Sequence, residues 1–428
     1  MISKTTQAAL DSVFVWIWLP EATAPVVAGR IDRDGNTYGF TYGRSYLARK
    51  EAIPIYLPEL PLQRGIIAPE APLNMANCLR DAAPDAWGRR VIINRLTGLR
   101  GDDTRDIEFD ELTFLFHSGS DRTGALDFQA SSQKYVSREY ANATLDELLD
   151  AAARVERGDP IPQGLDNALF HGSSIGGARP KALIEDKTTK FIAKFSATND
   201  TYTVVKAEFV AMRLAARVGL NVADVSLRTA ASKDVPLVER FDRTRVEDGW
   251  RRRAMVSALT LFRLDEMSAR HASYAEFADI IRARFADPQA TLRELYKRMV
   301  FNVLVGNTDD HARNHAAFWD GRNLRLTPAY DICPQARNNP EANQAIYIAE
   351  QHRGSQLEVC RLTANHFLLG DAEVRSIINE QVASIRDNWQ AVCEEAGLSP
   401  VDRTFLWRRQ FLNAYAFEGY IDGVPEGL

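Results

Sequence analysis

The stretch GNTDDHARNH (306–315), followed by LRLTPAYDICP (324–334), sets Asp309, Asn314 and Asp331 in a fixed order. An Asp, an Asn five positions on, a short hairpin and a second Asp form the polar skeleton of a site that holds a magnesium–nucleotide complex beside an acceptor hydroxyl. Phosphoryl transfer asks little covalent chemistry of a protein. It needs an acceptor oxygen that is positioned and partly deprotonated, and cations on the phosphates. Asp309 is expected to orient the hydroxyl and take its proton. Asn314 and Asp331 offer the hard oxygen donors that Mg2+ prefers. Asp310 is the rival base, but its spacing to Asn314 is one residue short. His311 and His315 stand four residues apart and invite a zinc reading; no H-E-x-x-H arrangement accompanies them, so a metalloprotease site is excluded. His311 is expected to hydrogen-bond within the loop, and His315 to be structural.

A phosphotransferase also needs a phosphate-binding half. Lys194 in FIAKF is a lone lysine inside an apolar run, and lysine is rarely buried without a partner. It reads as a phosphate-binding lysine on a strand, with Glu208 of the following helix as its ion-pair partner. SSIGGARPK (173–181) precedes that strand. Gly176 and Gly177 let backbone amides approach phosphates, and Lys181 adds charge. The segment matches neither G-x-x-x-x-G-K-[ST] nor G-x-G-x-x-G, so by itself a double glycine is a weak signal. In VPLVERFDR (235–243), Glu239, Arg240 and Phe241 are candidates for a hinge whose backbone binds adenine. The segment 239–253 carries six Arg with four acidic residues interspersed, and reads as a solvated surface loop.

These residues need a scaffold of more than one core. At 428 residues the chain exceeds a single compact unit, and two or three are expected. Apolar content of 45% and charge of 25% are ordinary globular values. There is no run of 18 apolar residues, so no transmembrane helix is expected. The six-residue run Val13 to Trp18 reads as a strand rather than a signal peptide. Cys78, Cys333, Cys360 and Cys393 are scattered without ligand spacing, which argues against a disulfide framework or zinc site and for a reduced, cytoplasmic protein. A formal charge of −5 gives no footprint for autonomous nucleic-acid binding.

Residues 1–65 read as strands around an Asp34-Gly35 turn, and 72–130 as helical and loop-rich. TLDELLDAAARVERG (144–158) is an amphipathic helix with Thr144 as cap and Glu147 completing a capping box, and GDPIPQG (158–164) a linker. Short β-type runs then resume around a helix from about 203 to 218, with Val205, Phe209, Met212 and Ala216 as its buried stripe and Gly219 as its stop. A helix over 291–305 opens on a Thr291/Glu294 capping box and buries Leu292, Leu295, Met299 and Val303. AAFWDGRNLRLTP reads as a hairpin with an Asp320-Gly321 turn that would bring Asp331 back beside Asn314. A long helix spans 371–397, capped by Asp371 and stopped by Gly397, and a last one covers about 402–417. A small strand-rich segment followed by a larger helical one is the layout of a two-lobed kinase, with nucleotide in the cleft between lobes.

Taken in order, SSIGGARPK, FIAKF, LVERFDR, NTDDHARNH and LTPAYDICP resemble the HipA-type serine/threonine kinase toxins of bacterial toxin–antitoxin modules. LPELPLQ, APDAWGRR and SGSDRTGALDF look like that family's amino-terminal subdomain. The resemblance implies an α+β, two-lobed protein-kinase-like fold, with the amino-terminal subdomain over 1–130, the kinase N-lobe over 131–241 and a helical C-lobe over 242–428. It implies Asp309 as proton acceptor, Asn314 and Asp331 as magnesium ligands, and ATP contacts at Gly176, Gly177, Ala178, Arg179, Pro180, Lys181, Lys194, Glu239, Arg240, Phe241, His311, Ala312, Arg313, Asn314, Tyr330 and Asp331. It places autophosphorylation at Ser174, with Ser173 adjacent, an event that expels the loop and silences the kinase. It implies ATP and Mg2+ as cofactors. The implied substrate is an aminoacyl-tRNA synthetase such as a glutamate–tRNA ligase, so that translation stalls and growth arrest or persistence follows. The implied partner is a helix-turn-helix antitoxin of HipB type, through which alone DNA is reached. The chain departs from the family in Asp310, where a non-Asp residue is common, and in APDAWGRR. Rival readings are a small-molecule kinase on the same fold and a non-enzymatic ATP-binding scaffold in a repressor complex.

Overall fold

The structure is a computed structural model that describes residues 10–99, 107–138, 143–159, 174–197, 200, 202–337, 339 and 341–420. The chain divides into two compact units. One comprises 1–199, 228–256 and 319–322; the other comprises 200–227, 257–318 and 323–428. Among the described residues no helix is long and apolar enough to cross a membrane. The four cysteines are buried and form no disulfide. The expected linker falls mostly outside the described residues.

The first unit begins with the expected strands, β1 (Ser12–Ile17), β2 (Val26–Asp34) and β3 (Thr37–Tyr42). Asp34 pairs with Thr37 across a two-residue turn, and Gly35 takes φ +57° there, a conformation glycine adopts at little cost. With β4 (Ile66–Ile67) and β5 (Leu126–Gln129), these strands form a sheet of order β4-β3-β2-β1-β5. β1 is an interior strand, with β2 on one side and β5 on the other. Val13, Val15, Trp16 and Ile17 are all buried there, which is why VFVWI is continuously apolar.

A second sheet joins β6 (Lys181–Glu185), β7 (Lys190–Lys194), β8 (Val225–Ala230) and β9 (Lys233–Glu239) in the order β6-β7-β9-β8. Helices α1 (Ala86–Thr97) and α2 (Leu145–Arg157) share its core. The capping box read at Thr144 and Glu147 is present, and Gly158 ends α2 in the left-handed region. Leu148, Leu149 and Val155 of α2 meet Ala182, Ala193, Val235 and Leu237 of the sheet, with Trp87 and Val91 of α1. Each large side chain buried there stabilises the unit by about 1.5–3 kcal/mol.

The second unit is mainly helical. Helix α3 (Val204–Arg217) buries Val205, Phe209 and Met212 as expected, but Ala216 is exposed because the helix's last turn leaves the core. Helix α4 spans Tyr274–Arg284 and α5 spans Pro288–Val305. Helix α5 buries Leu292, Leu295, Met299 and Val303, but it starts earlier than the Thr291/Glu294 reading. Asp287 caps it and Pro288 fills the first turn, where a missing N–H costs nothing; Thr291 instead donates its hydroxyl to the Asp287 carbonyl at 2.5 Å. Helix α6 runs from Asp371 to Glu395. Its cap position is Gly370 rather than Asp371, and Glu373 accepts the Gly370 N–H at 3.4 Å. Arg213 of α3 and Glu395 of α6 pair at 2.8 Å. The single last helix expected over 402–417 is instead α7 (Pro400–Leu406) and a short turn at Ala414–Phe417. Arg408 and Leu412 adopt positive φ between them, which an α-helix does not allow.

Candidate active site

Helix α5 delivers the chain to the 306–315 loop. It ends at Gly306, with φ +70°. A Cβ there would lie 2.8 Å from the Gln410 carbonyl oxygen, so the close approach and the dihedral both select glycine. Asn307 then donates its side-chain amide to Asn302 Oδ1 at 3.0 Å, tying the loop to the helix it leaves.

The two adjacent carboxylates that follow have opposite surroundings. Asp310 is 2% exposed. Its carboxylate accepts the Tyr274 hydroxyl and lies 2.8 Å from His315 Nε2. Burial alone would raise the Asp310 pKa; the His315 charge and hydrogen bonds from His315, Tyr274 and Asn302 outweigh it and hold the carboxyl below its usual range. Burial and the Asp310 charge push the Tyr274 hydroxyl well above its usual range. The His315 ring stands edge-on to Tyr274 and Phe277. Asp310 and His315 are therefore the floor of the loop.

Asp309 points to the surface. Partial burial raises its pKa; His311 opposes that, and Asp331 and Asp310 reinforce it. The carbonyl of Asp309 accepts the Asn314 side-chain amide at 3.1 Å. That bond holds the Asn314 side chain through its nitrogen end, and the oxygen end is an acceptor. The expected hairpin follows as β10 (Ala316–Trp319) and β11 (Leu324–Leu326). Thr327 N donates to the Ala316 carbonyl at 3.0 Å, and the Tyr330 hydroxyl donates to the Arg313 carbonyl at 2.7 Å. The residue before Asp331 is thus clipped to the residue before Asn314. Asp331 itself takes φ +58°, a conformation that costs a non-glycine residue about 1–3 kcal/mol and is met at functional sites.

One side of the second unit therefore gathers Asp309, His311, Ala312, Arg313, Asn314, Tyr330 and Asp331. Arg313 is engaged by Glu266 at 2.6 Å. His311 Nδ1 is buried with no hydrogen-bond partner among the described residues. The donor set suits Mg2+: an amide oxygen and a carboxylate close enough to raise its neighbour's pKa, a repulsion that a divalent cation would relieve.

The first unit holds the other candidates. Lys181 opens β6 and Lys194 closes β7, and the two are register partners across the antiparallel pair. Like charges directly opposite are unfavourable unless an anion sits with them. The Lys181 ammonium donates to the Gly176 carbonyl. Gly177 has φ +110°, and a Cβ on it would collide with Lys181 Nζ. Ala178 and Arg179 follow in the loop, and Pro180 accepts Phe195 N at 2.9 Å. Glu208 is buried on α3, in the second unit.

The 239–253 segment differs from the solvated loop read from its charges. Arg240, Asp242, Arg243 and Arg252 are buried at 4%, 4%, 6% and 7% exposure. Asp121 receives Lys190 Nζ at 2.6 Å, Arg240 Nη1 at 2.9 Å and Arg243 Nη2 at 2.9 Å, while Asp242 holds both arginines at 2.9 Å. Burial would raise the Asp121 pKa, but Arg240, Arg243, Arg252 and Lys190 together hold it well below its usual range. The Arg240 side chain is thus structural, and its N–H is spent on the Lys190 carbonyl at 2.9 Å. Glu239 pairs with Phe191 at the sheet end, and Phe241 is half-buried. SGSDRTGALDF supplies the hub: Asp121, and Arg122 paired with Asp127 at 2.8 Å. Its signal was an Asp-Arg pair among small residues; the two arginines that bind Asp121, Arg240 and Arg243, lie more than a hundred positions away. Ser174 is 1% exposed and donates its hydroxyl to the Asp121 carbonyl at 3.0 Å; Ser173 lies outside the described residues.

Comparison with known proteins bears on this arrangement. The family description "HipA-like C-terminal domain" matches residues 173–389, and "HipA N-terminal domain" matches 18–129. "Putative kinase Y4mE" of Sinorhizobium fredii is 30% identical over 146 residues, covering 33% of each chain. "Serine/threonine-protein kinase toxin HipA" of Shewanella oneidensis is 25% identical over 183 residues, covering 37% of this chain and 42% of that one. The matches thus span a third to about two fifths of these relatives' lengths. A solved Shewanella oneidensis structure of HipA with HipB and operator DNA matches with a TM-score of 0.68 at 19% identity, covering 93% of this chain and 95% of that one. The α+β, protein-kinase-like fold expected from the sequence is the one observed. With its C-terminal description matched over half the chain and its N-terminal description over most of the rest, this protein belongs to the HipA family.

Proposed function

We propose that the protein is an ATP- and Mg2+-dependent serine/threonine protein kinase, the toxin of a toxin–antitoxin pair. The observation that carries this reading is the split in character between Asp309 and Asp310. One adjacent carboxylate is buried and held ionised by its partners; the other is exposed, has a raised pKa and faces Asp331. A general base works best with a pKa lifted toward the operating pH. Asp309 orients the acceptor hydroxyl and takes its proton. Asn314 and Asp331 hold Mg2+, which when bound neutralises charge on the phosphates. Lys181 and Lys194 supply facing positive charge, the 176–181 loop offers its backbone to phosphate, and Glu239 and Phe241 offer backbone groups to adenine. His311, Ala312, Arg313 and Tyr330 wall the catalytic side.

The substrate in this reading is an aminoacyl-tRNA synthetase, such as a glutamate–tRNA ligase, modified on a serine so that translation stalls in the cytoplasm. The partner is a helix-turn-helix antitoxin that reaches DNA on the toxin's behalf; the HipB in the matched assembly supports this. Autophosphorylation at Ser174 requires the serine to leave the Asp121 carbonyl and reach solvent. Induced expression tests the proposal. Wild type should arrest growth, Asp309→Asn should not, and co-expression of a neighbouring helix-turn-helix gene should restore growth to wild type. Arrest by Asp309→Asn at equal protein level would overturn the kinase reading.

A further inference from the structure

The segment APDAWGRR finds no role in the chemistry above, yet it reaches the glycine-rich loop. Asp85 occupies the cap position of α1 but makes no side-chain cap bond. Its carboxylate instead accepts the Gly177 N–H at 2.6 Å. A Cβ built on Gly176 would meet the same oxygen at 2.6 Å, so the carboxylate lies against both glycines. Two residues on, Trp87 N lies 3.4 Å from the Gly177 carbonyl, and Trp87 Nε1 donates to the Lys181 carbonyl at 3.2 Å. Trp87 is fully buried in the core shared by α1, α2 and the second sheet. Asp85 is therefore presented to the loop from a fixed point.

We infer that the Asp85 carboxylate is an internal stand-in for phosphate, a latch that nucleotide phosphates must displace from the glycine-rich loop. The inference rests on the nucleotide-binding reading of that loop. Backbone N–H groups in a glycine turn form an anion-binding concavity, and an ionised oxygen is the strong acceptor for them. A carboxylate and a phosphate oxygen compete for one N–H, and their like charges keep them from sharing it. The loop is otherwise closed on itself, with the Lys181 ammonium on the Gly176 carbonyl. Nucleotide affinity is then set partly by Asp85, which belongs to the region matching the HipA N-terminal domain.

The test uses the full chain as wild type, Asp85→Ala and Asp85→Asn, each checked for an unchanged thermal midpoint. Calorimetry reads binding of Mg2+-ATP and of adenosine, and hydrogen exchange without nucleotide reads the amides of 174–181. Asp85→Ala should bind ATP about tenfold more tightly, the factor expected for one charge-assisted hydrogen bond no longer in competition. Asp85→Asn, which keeps an acceptor without the charge, should gain less. Adenosine, with no phosphate, should bind all three alike, and the loop amides should exchange faster in Asp85→Ala. ATP affinity unchanged or weakened in Asp85→Ala would overturn the latch and make Asp85 a strut that shapes the loop. Unchanged exchange would overturn it as well. Faster exchange with no ATP binding by any of the three proteins would overturn the nucleotide reading while supporting the contact itself.

Discussion

Replacing Asp310 should cost stability, and replacing its neighbour Asp309 should cost chemistry. Asp310→Ala removes the acceptor that serves both the Tyr274 hydroxyl and the His315 ring, in a place only 2% exposed. Each buried polar group left without a partner costs about 1–3 kcal/mol, so the pair gives roughly 2–6 kcal/mol. Breaking a buried ion pair from one side gives a similar figure, about 3–5 kcal/mol. At about 2–4 °C per kcal/mol for a unit of this size, the range of about 3–5 kcal/mol common to both figures lowers the midpoint by roughly 6–20 °C. Asp309→Asn is the opposite case. Burial and the Asp331 charge raise that carboxyl's pKa, so its ionised form is disfavoured in the fold. Neutralising it should leave the midpoint unchanged or slightly higher while phosphoryl transfer is lost. Scanning calorimetry and a transfer assay on the same preparations decide the matter. A stable, inactive Asp310 variant beside an active Asp309 variant would refute the assignment of roles.

The remaining predictions concern acidity, the ion hub and the loop hinge. In the protein without Mg2+ the Asp309 carboxyl should titrate above the usual carboxylate range, and Asp331→Asn should move that titration down by removing a like charge, read by carboxylate NMR rather than by activity. Asp121, Asp242 and Asp310 have lowered pKa values. Their stabilisation is present in full above about pH 4, the unfolded carboxylate value, and is lost as pH falls below it through the folded values; acid titration by circular dichroism should show this. Asp121→Ala leaves Lys190, Arg240 and Arg243 facing one another and should destabilise the chain by at least about 3–5 kcal/mol, read as loss of soluble protein or a large drop in midpoint. Gly306→Ala forces a Cβ to 2.8 Å from the Gln410 carbonyl at φ +70° and should cost about 1–3 kcal/mol by chemical denaturation.

Local signals were legible in the sequence and distant ones were not. The hairpin after Asn314 and the capping box at Thr144 depend on residues within a few positions of one another, so their spacing carried them. The preference for Asp309 over Asp310 came from one residue of spacing; its physical reason, the Tyr274 and His315 floor, involves a helix more than thirty positions upstream. The Arg-rich 239–253 segment misled because interspersed charges on a surface and in a buried hub look alike in one dimension. What decides between them is Asp121, over a hundred residues away. Asp85 was hidden for the same reason, since an Asp before a helix reads as a cap. The start of α5 was missed because Asp287-Pro288 competed with an equally good pattern at Thr291.

Phosphate transfer itself is the decisive measurement. Purified wild-type protein and Asp309→Asn, each incubated with radiolabelled ATP, Mg2+ and a bacterial lysate, should differ in one respect. Wild type should label a discrete synthetase-sized protein, and Asp309→Asn should label none. Equal labelling by the variant, or label confined to small solutes, would contradict the assignment of Asp309 as the base of a protein kinase.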